Sequence, residues 1–265
     1  MIISYKICTS IQARDSSRSL ALDVARAFNE GSDMVEVRFD YSSKEAINDL
    51  LDVVMEHRDR MIFTCRSRDE GGAFNGSEAE RLMVLKRLAS FRPMLLDVEY
   101  KTVERDEELY DHLRALNCDL LISYHDFNNT PSRNRLAEIM DGMLKYSRNV
   151  KIVTMAKSVE DNESILSLYD IIKDKYKKKD GIQLVAFCMG EHGLASRVLC
   201  TMLGAPYTYA ALDKPLAPSQ LTLRQMRMIY KVMDENGYAK SIRNDRYTID
   251  MVARLIGSVL HDMHG

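Results

Sequence analysis

The sequence of 265 residues predicts a single (β/α)8 barrel. Three observations favour this fold. Eight short apolar runs alternate with amphipathic helical patterns, and each strand-and-helix unit covers about 30 residues, the size of one βαβ step. No linker rich in Pro or Gly divides the chain, which contains 12 Gly and 5 Pro. A doubly wound sheet fits less well because it usually has fewer strands. One domain is therefore expected over residues 1–265.

The predicted strands are short apolar runs rich in β-forming residues. In chain order they begin near Ile2, Met34, Met61, Met94, Asp119, Val150, Ile182 and Thr208.

Apolar residues recurring three and four positions apart predict the helices between these strands. Examples are residues 17–30, 77–91, 103–116 and 158–175, and the eighth helix falls near 221–233. A further amphipathic helix at roughly 248–263 lies in a C-terminal extension of residues 238–265. We expect this extension to cap the barrel or to contribute to an oligomer contact.

The composition disfavours several classes of binding partner. The 37 basic and 39 acidic residues nearly cancel, which disfavours nucleic acid and anionic membranes and leaves a small molecule as the expected partner. The five cysteines are scattered without CxxC spacing, as is typical of reduced core thiols in a cytoplasmic protein. No apolar run approaches the roughly 20 residues of a membrane span, and no signal peptide is evident.

Lys151 and His125 are the most informative residues of the sequence. Lys151 lies at the start of an apolar strand, where a lysine is costly unless it is neutralised or has a chemical role. The sequence identifies no partner for it. His125 ends the preceding strand, so an amine nucleophile and a proton carrier are expected on neighbouring strands. This pairing suggests a Schiff base formed with a ketone or aldehyde.

Charged residues also cluster where the predicted strands end, which is the catalytic face of such barrels. Glu36 and Arg38 are two positions apart on one strand, as are Asp97 and Glu99 on another, so each pair points to one side of its strand. An inward orientation costs least, because the other side faces the apolar helices. Arg66 follows the third strand.

Structural explanations exist for each residue taken alone. Glu36, Arg38 and Arg66 suit an ion-pair network at the barrel mouth about as well as a ligand site. An isolated His125 is more often a hydrogen-bonded core histidine, and an isolated Lys151 is compatible with a side chain that extends to the other face of the barrel. The convergence of acid, base, amine and guanidinium groups on one barrel favours a functional site.

The sequence resembles type I 3-dehydroquinate dehydratases, which are Schiff-base enzymes with a (β/α)8 fold. The matching motifs run in family order from residue 6 to residue 220: Lys6-Ile-Cys-Thr-Ser10, Glu36-Val-Arg38-Phe-Asp40, Phe63-Thr-Cys-Arg66-Ser-Arg-Asp-Glu70-Gly-Gly72, Ser123-Tyr-His125-Asp-Phe127, Lys151, Met189-Gly-Glu-His-Gly193-Leu-Ala-Ser196-Arg197 and Ala217-Pro218-Ser219-Gln220. The eighth loop departs from the family pattern, because Leu216 stands where a hydroxyl residue is usual. We expect Ser219 or a water molecule to replace that hydroxyl.

The resemblance implies reversible syn dehydration of 3-dehydroquinate to 3-dehydroshikimate in the shikimate pathway. Lys151 would form the imine, His125 would transfer protons, and Glu70 would orient the imidazole. The residues implied to bind substrate are Ser10, Glu36, Arg38, Arg66, Arg197, Ser219 and Gln220. No metal or organic cofactor is implied, and a homodimer is expected.

Two other functions remain open at this stage. A class I aldolase or transaldolase would use the same lysine to make or break a carbon–carbon bond. A phosphate clamp near strands seven and eight would be expected there, whereas Arg197 and Gln220 suit a carboxylate. A non-catalytic barrel would tolerate loss of Lys151 or His125, and both are present.

Overall fold

The computed structural model describes residues 5–176, 181–238 and 249–263. Its eight strands are parallel and follow the order β7-β6-β5-β4-β3-β2-β1-β8, which confirms the predicted barrel. Within the described residues no ladder joins β7 to β8, so the barrel is nearly closed. The strands are β1 Ile7–Gln12, β2 Met34–Arg38, β3 Met61–Thr64, β4 Leu95–Glu99, β5 Leu120–Asp126, β6 Asn149–Met155, β7 Gln183–Met189 and β8 Thr208–Ala211.

Helices alternate with the strands, as the amphipathic patterns predict. They are α1 Ser17–Asn29, α2 Ile47–Val54, α3 Glu78–Ser90, α4 Tyr100–Arg105, α5 Glu107–Ala115, α6 Arg133–Met143, α7 Asp161–Lys175, α8 Leu194–Leu203, α9 Leu223–Glu235 and α10 Ile249–Asp262. The described part of the first strand begins at Ile7, and its predicted start near Ile2 lies outside the described residues.

Side-chain caps determine where several helices begin. The Ser77 hydroxyl accepts a hydrogen bond from the Glu80 backbone N–H, and the Glu80 carboxylate accepts one from the Ser77 N–H. Thr222 and Gln225 form the same reciprocal arrangement before α9. Each capping box satisfies backbone donors that a helix N-terminus leaves without partners.

The single helix predicted over 103–116 is wrong, because the chain forms two helices there. Asp106 leaves the helical conformation with φ −129° and ψ 84°, and its carboxylate accepts a hydrogen bond of 2.8 Å from the Leu109 N–H. The aspartate therefore ends α4 and caps α5. The spacing of apolar residues continues almost unchanged across Asp106. It therefore does not reveal that one helix ends there and another begins.

The C-terminal helix packs on the outside of the barrel. In α10, Val252, Ile256 and Val259 are buried, and the helix lies against α8 and α9. This arrangement fits the predicted amphipathic pattern, whose first position, Thr248, lies outside the described residues. In the described parts of the chain, every helix is too short or too polar to cross a bilayer.

Candidate active site

A cavity of about 70 Å³ opens at the C-terminal ends of the strands, and nine of the ten predicted site residues line it. These nine are Ser10, Glu36, Arg38, Arg66, Glu70, His125, Lys151, Arg197 and Gln220. Ser219 is the exception. It is partly exposed, its backbone has φ +51°, and it is absent from the cavity lining. The small volume suits a compact ligand.

Lys151 is the third residue of β6, and its side chain is only 4% exposed. Its Nζ lies 2.5 Å from Asp97 Oδ2 and 3.6 Å from Glu36 Oε1. It also lies 4.8 Å from the centroid of the Tyr209 ring. The expectation of a lysine without a partner is therefore wrong. Strand β4 turns Asp97 into the barrel, where it neutralises a cation two strands away.

Asp97 is the site residue that the sequence reasoning left out. Besides Lys151, it contacts Arg66 Nη2 at 2.7 Å and accepts a hydrogen bond of 2.6 Å from the Ser123 hydroxyl, both through Oδ1. Burial by itself raises the pKa of Asp97, but Arg66 and Lys151 together hold that pKa well below its usual range. Asp97 is therefore a permanent carboxylate. The inward spacing of Asp97 and Glu99 was the available signal.

Arg66 belongs both to the cavity and to an ion network. Its Nη1 donates to the Ser123 hydroxyl at 2.6 Å and lies 3.3 Å from Glu99 Oε1. Glu99 also pairs with the buried Arg81 of α3 at 2.9 Å. The structural explanation for Arg66 is thus correct in part, because the network fixes the guanidinium whether or not it binds a ligand.

Glu36 and Arg38 have local partners. The Glu36 carboxylate accepts hydrogen bonds from the hydroxyls of Ser10 at 2.7 Å and Thr64 at 3.0 Å. Arg38 donates two bonds to Asp40, at 2.8 and 2.7 Å. The two hydroxyls therefore hold the Glu36 carboxylate in place as an acceptor. Asp40 holds the Arg38 guanidinium in place and partly balances its charge.

His125 is held by Glu70 from the third loop. The imidazole Nδ1 lies 2.9 Å from Glu70 Oε2, which also accepts a hydrogen bond of 3.1 Å from the His125 backbone N–H. If Nδ1 carries the proton in this contact, Nε2 is the free base. The loop makes its close turn through Gly72, where a Cβ would lie 2.0 Å from the Arg66 carbonyl oxygen.

Burial determines the protonation of this pair. It lowers the pKa of His125 well below 6.5, with further lowering by the cations of Arg66 and Lys151. It also raises the pKa of Glu70 to about 7. The imidazole is therefore neutral near pH 7, which is the form that accepts a proton.

Arg197 lies in the first turn of α8 and is 1% exposed. Its Nε and Nη2 are buried and have no hydrogen-bond partner in the described structure, and Cζ lies 4.4 Å from the centroid of the Phe187 ring. Burial lowers the pKa of Arg197 to about 10, so the side chain remains a cation near neutral pH. A buried cation with unsatisfied donors at a cavity is suited to an anionic ligand.

Gln220 closes the loop after β8. Its Oε1 accepts a hydrogen bond of 2.8 Å from the Leu216 backbone N–H, so its amide donors are free to face the cavity. Leu216 lines the cavity beside it. No group of three or more His, Cys, Asp or Glu in the described parts of the chain is placed to hold a metal ion.

Known proteins resemble this chain over most of its length. The family model for type I 3-dehydroquinase matches residues 7–237. The 3-dehydroquinate dehydratase of Pyrococcus abyssi is 34% identical over 208 residues, covering 78% of this chain and 90% of that protein. The 3-dehydroquinate dehydratase of Desulfotalea psychrophila is 32% identical over 231 residues, covering 86% and 97% respectively.

A solved structure supports the fold independently. The 3-dehydroquinate dehydratase of Geobacillus kaustophilus superimposes with a TM-score of 0.76, covering 88% of this chain and 92% of that one. The sequence identity is 22%, so this match bears on the fold alone.

Proposed function

The chain belongs to the type I 3-dehydroquinase family, and we propose that it catalyses the reversible syn dehydration of 3-dehydroquinate to 3-dehydroshikimate through a lysine Schiff base. One observation carries the proposal. The Lys151 amine, the His125 imidazole and the Arg197 guanidinium line a single small cavity. These groups match a substrate with a ketone, an acidic neighbouring C–H and a carboxylate.

In the first step, Lys151 Nζ attacks the C3 ketone, and loss of water leaves a protonated imine. The lysine must first lose a proton. The neutral His125 imidazole takes this proton and returns it to the carbinolamine hydroxyl, which leaves as water, so the imidazole is neutral again before the next step. Asp97, 2.5 Å from Nζ, is placed to stabilise the iminium cation that replaces the ammonium.

In the second step, His125 Nε2 removes the C2 proton and the iminium accepts the electron pair, which gives an enamine. The imidazolium then protonates the C1 hydroxyl, which departs as water. One imidazole acting at both positions accounts for syn elimination. Glu70 fixes the ring orientation through the contact of 2.9 Å with Nδ1.

The remaining residues hold the ring. Arg197 has unsatisfied donors that suit the carboxylate, and Gln220 adds a neutral amide donor. Glu36 and Ser10 supply acceptor oxygens for ring hydroxyls, because the Ser10 O–H is donated to Glu36, and Arg66 supplies a fixed cation. Water in the second half of the cycle hydrolyses the imine and releases Lys151.

Purified protein incubated with 3-dehydroquinate should produce the conjugated enone of 3-dehydroshikimate, followed by its ultraviolet absorbance. Borohydride added during turnover should fix the ligand mass on the peptide carrying Lys151. Lys151→Met provides the matched control and should take no label. Labelling at another lysine, or absence of the enone, would contradict the proposal.

The same proposal includes a homodimer working in the cytoplasm without a metal or organic cofactor. The compartment is supported by the five cysteines, which are all free and buried, as reducing conditions favour. Size-exclusion chromatography with light scattering tests the dimer.

A further inference from the structure

A second cavity, of about 240 Å³, adjoins the catalytic cavity. It lies between the loop after β1 and the loop after β8. Ser10 and Leu216 line both cavities. These two residues therefore lie where the two cavities meet, at the partition between a small space that holds the reactive groups and a space more than three times as large.

The lining of the second cavity indicates what would occupy it. Ile11, Leu20 and Leu212 supply apolar surface. The charged residues of the lining are two cations, Arg14 and Lys214, and two anions, Asp23 and Asp213. Asp213 is paired with Arg26, and Arg14 and Lys214 are exposed to solvent, so the apolar residues are the part of the lining that a ligand can cover at least cost.

The two halves of the partition are not equivalent. The Ser10 hydroxyl donates to the Glu36 carboxylate at 2.7 Å, so it is tied to the catalytic network. The Leu216 side chain contributes only apolar volume, while its backbone N–H donates to Gln220 Oε1 at 2.8 Å. Shortening the Leu216 side chain would therefore open the partition and leave this backbone hydrogen bond in place.

Two prolines and an ion pair keep the loop in position. Pro215 and Pro218 fix φ on either side of Leu216. Asp213, at the start of the loop, pairs with Arg26 of α1. A shortened side chain at position 216 should thus leave a real opening, because the backbone has little freedom to collapse into it.

We propose that Leu216 determines ligand size at this active site, and that the second cavity is a latent subsite for a neutral, short alkyl extension on the ring ligand. The inference rests on the proposed function, because the ring ligand is taken to be 3-dehydroshikimate or its hydrated precursor. In the native chain Leu216 closes the passage and confines binding to compact rings. Leu216→Ala joins the two cavities.

The test uses three competitive inhibitors of the dehydratase reaction: 3-dehydroshikimate and its propyl ethers at each of the two ring hydroxyls. For each protein, the affinity of an ether is divided by the affinity of 3-dehydroshikimate. For at least one ether this ratio should be about tenfold or more higher in Leu216→Ala than in the native enzyme. Full burial of a propyl group would give more than this. Equal ratios for both ethers in the two proteins would overturn the proposal.

Two further variants establish where the extension lies. Ala217→Gly trims the same loop at a residue that lines only the catalytic cavity, so it should give no gain. Ser19→Phe fills the second cavity and, combined with Leu216→Ala, should abolish the gain. A gain with Ala217→Gly, or one that survives Ser19→Phe, would refute the subsite. If unsubstituted 3-dehydroshikimate fails to bind the native protein, the proposed function fails as well.

Discussion

Lys151 Nζ and Asp97 Oδ2 lie 2.5 Å apart inside the barrel, and both side chains are almost completely buried. Arg66 holds the second oxygen of the same carboxylate at 2.7 Å. Lys151 is thus paired with a carboxylate that Arg66 also holds. Removing the lysine therefore affects the stability of the fold as well as catalysis.

Lys151→Ala should abolish turnover, because among the described residues no other lysine lines the cavity, and should lower the free energy of unfolding by about 1–3 kcal/mol. Removing one member of a buried pair costs about 3–5 kcal/mol, and Arg66 remains to neutralise part of the Asp97 charge. Urea denaturation measures the loss. In the double variant with Asp97→Asn much of it should be recovered, and equal stability of the native and Lys151→Ala proteins would contradict the pairing.

His125→Ala should reduce kcat by roughly 10²- to 10⁴-fold, the usual contribution of a general acid–base group. Imine formation should persist more slowly, so borohydride should still label Lys151 in this variant. In the native enzyme the low pKa of His125 keeps the imidazole neutral in mild acid, and the acidic limb of kcat/KM should fall below pH 6.5. Near-native turnover by His125→Ala would require another proton carrier.

Glu70→Gln should change how stability depends on pH. Burial raises the pKa of Glu70 from 4.5 to about 7, so its contribution is fully present below pH 4.5 and is lost as the pH rises through about 7. Glutamine does not titrate. Relative to the native protein, Glu70→Gln should therefore gain up to about 3 kcal/mol between pH 4.5 and 7. Denaturation curves at pH 5 and pH 8 measure the change, and a constant difference would contradict it.

Arg197→Met should weaken substrate binding and stabilise the free protein. The guanidinium is buried with two unsatisfied nitrogens, a cost that a methionine of similar length removes. We expect KM to rise about 10- to 150-fold, since a charge-assisted contact to the carboxylate is lost, with the melting temperature of the free enzyme raised. A lower melting temperature would show that Arg197 has a structural partner.

The loop after β8 carries two residues with different roles at the cavity, the amide donor of Gln220 and the apolar side chain of Leu216. Leu216→Ser should change substrate affinity by no more than about tenfold, the scale of one neutral hydrogen bond. Gln220→Ala should have a larger effect, because it removes the cavity-facing amide and also the acceptor for the Leu216 N–H. Steady-state kinetics on both variants decides the order. A larger effect at Leu216 would mean that Gln220 does not contact the substrate.

The sequence by itself determined the barrel, the strand that carries each reactive group, and most of the cavity lining. Hydrophobic periodicity reports which face of an element is buried, and the i, i+2 spacing of Glu36 with Arg38 placed both on the cavity side of β2. Lys151 lies near the start of β6, so its approach to His125 depends on the register of β5 and β6, which pairs Lys151 with Ser123, two residues before His125.

Only the tertiary structure decided which charged side chains of the site contact each other. That Asp97 reaches Lys151 across two strands, and that Glu70 reaches His125 from another loop, depends on barrel curvature and register, which local patterns do not encode. Ser219 shows the same limit. The resemblance implies a place in the site for it, but it lies outside the cavity lining and has a left-handed backbone with φ +51°. The protonation states of the buried groups were also decided by the tertiary structure. Desolvation shifts their pKa values, and it depends on everything packed around a group rather than on its neighbours in sequence.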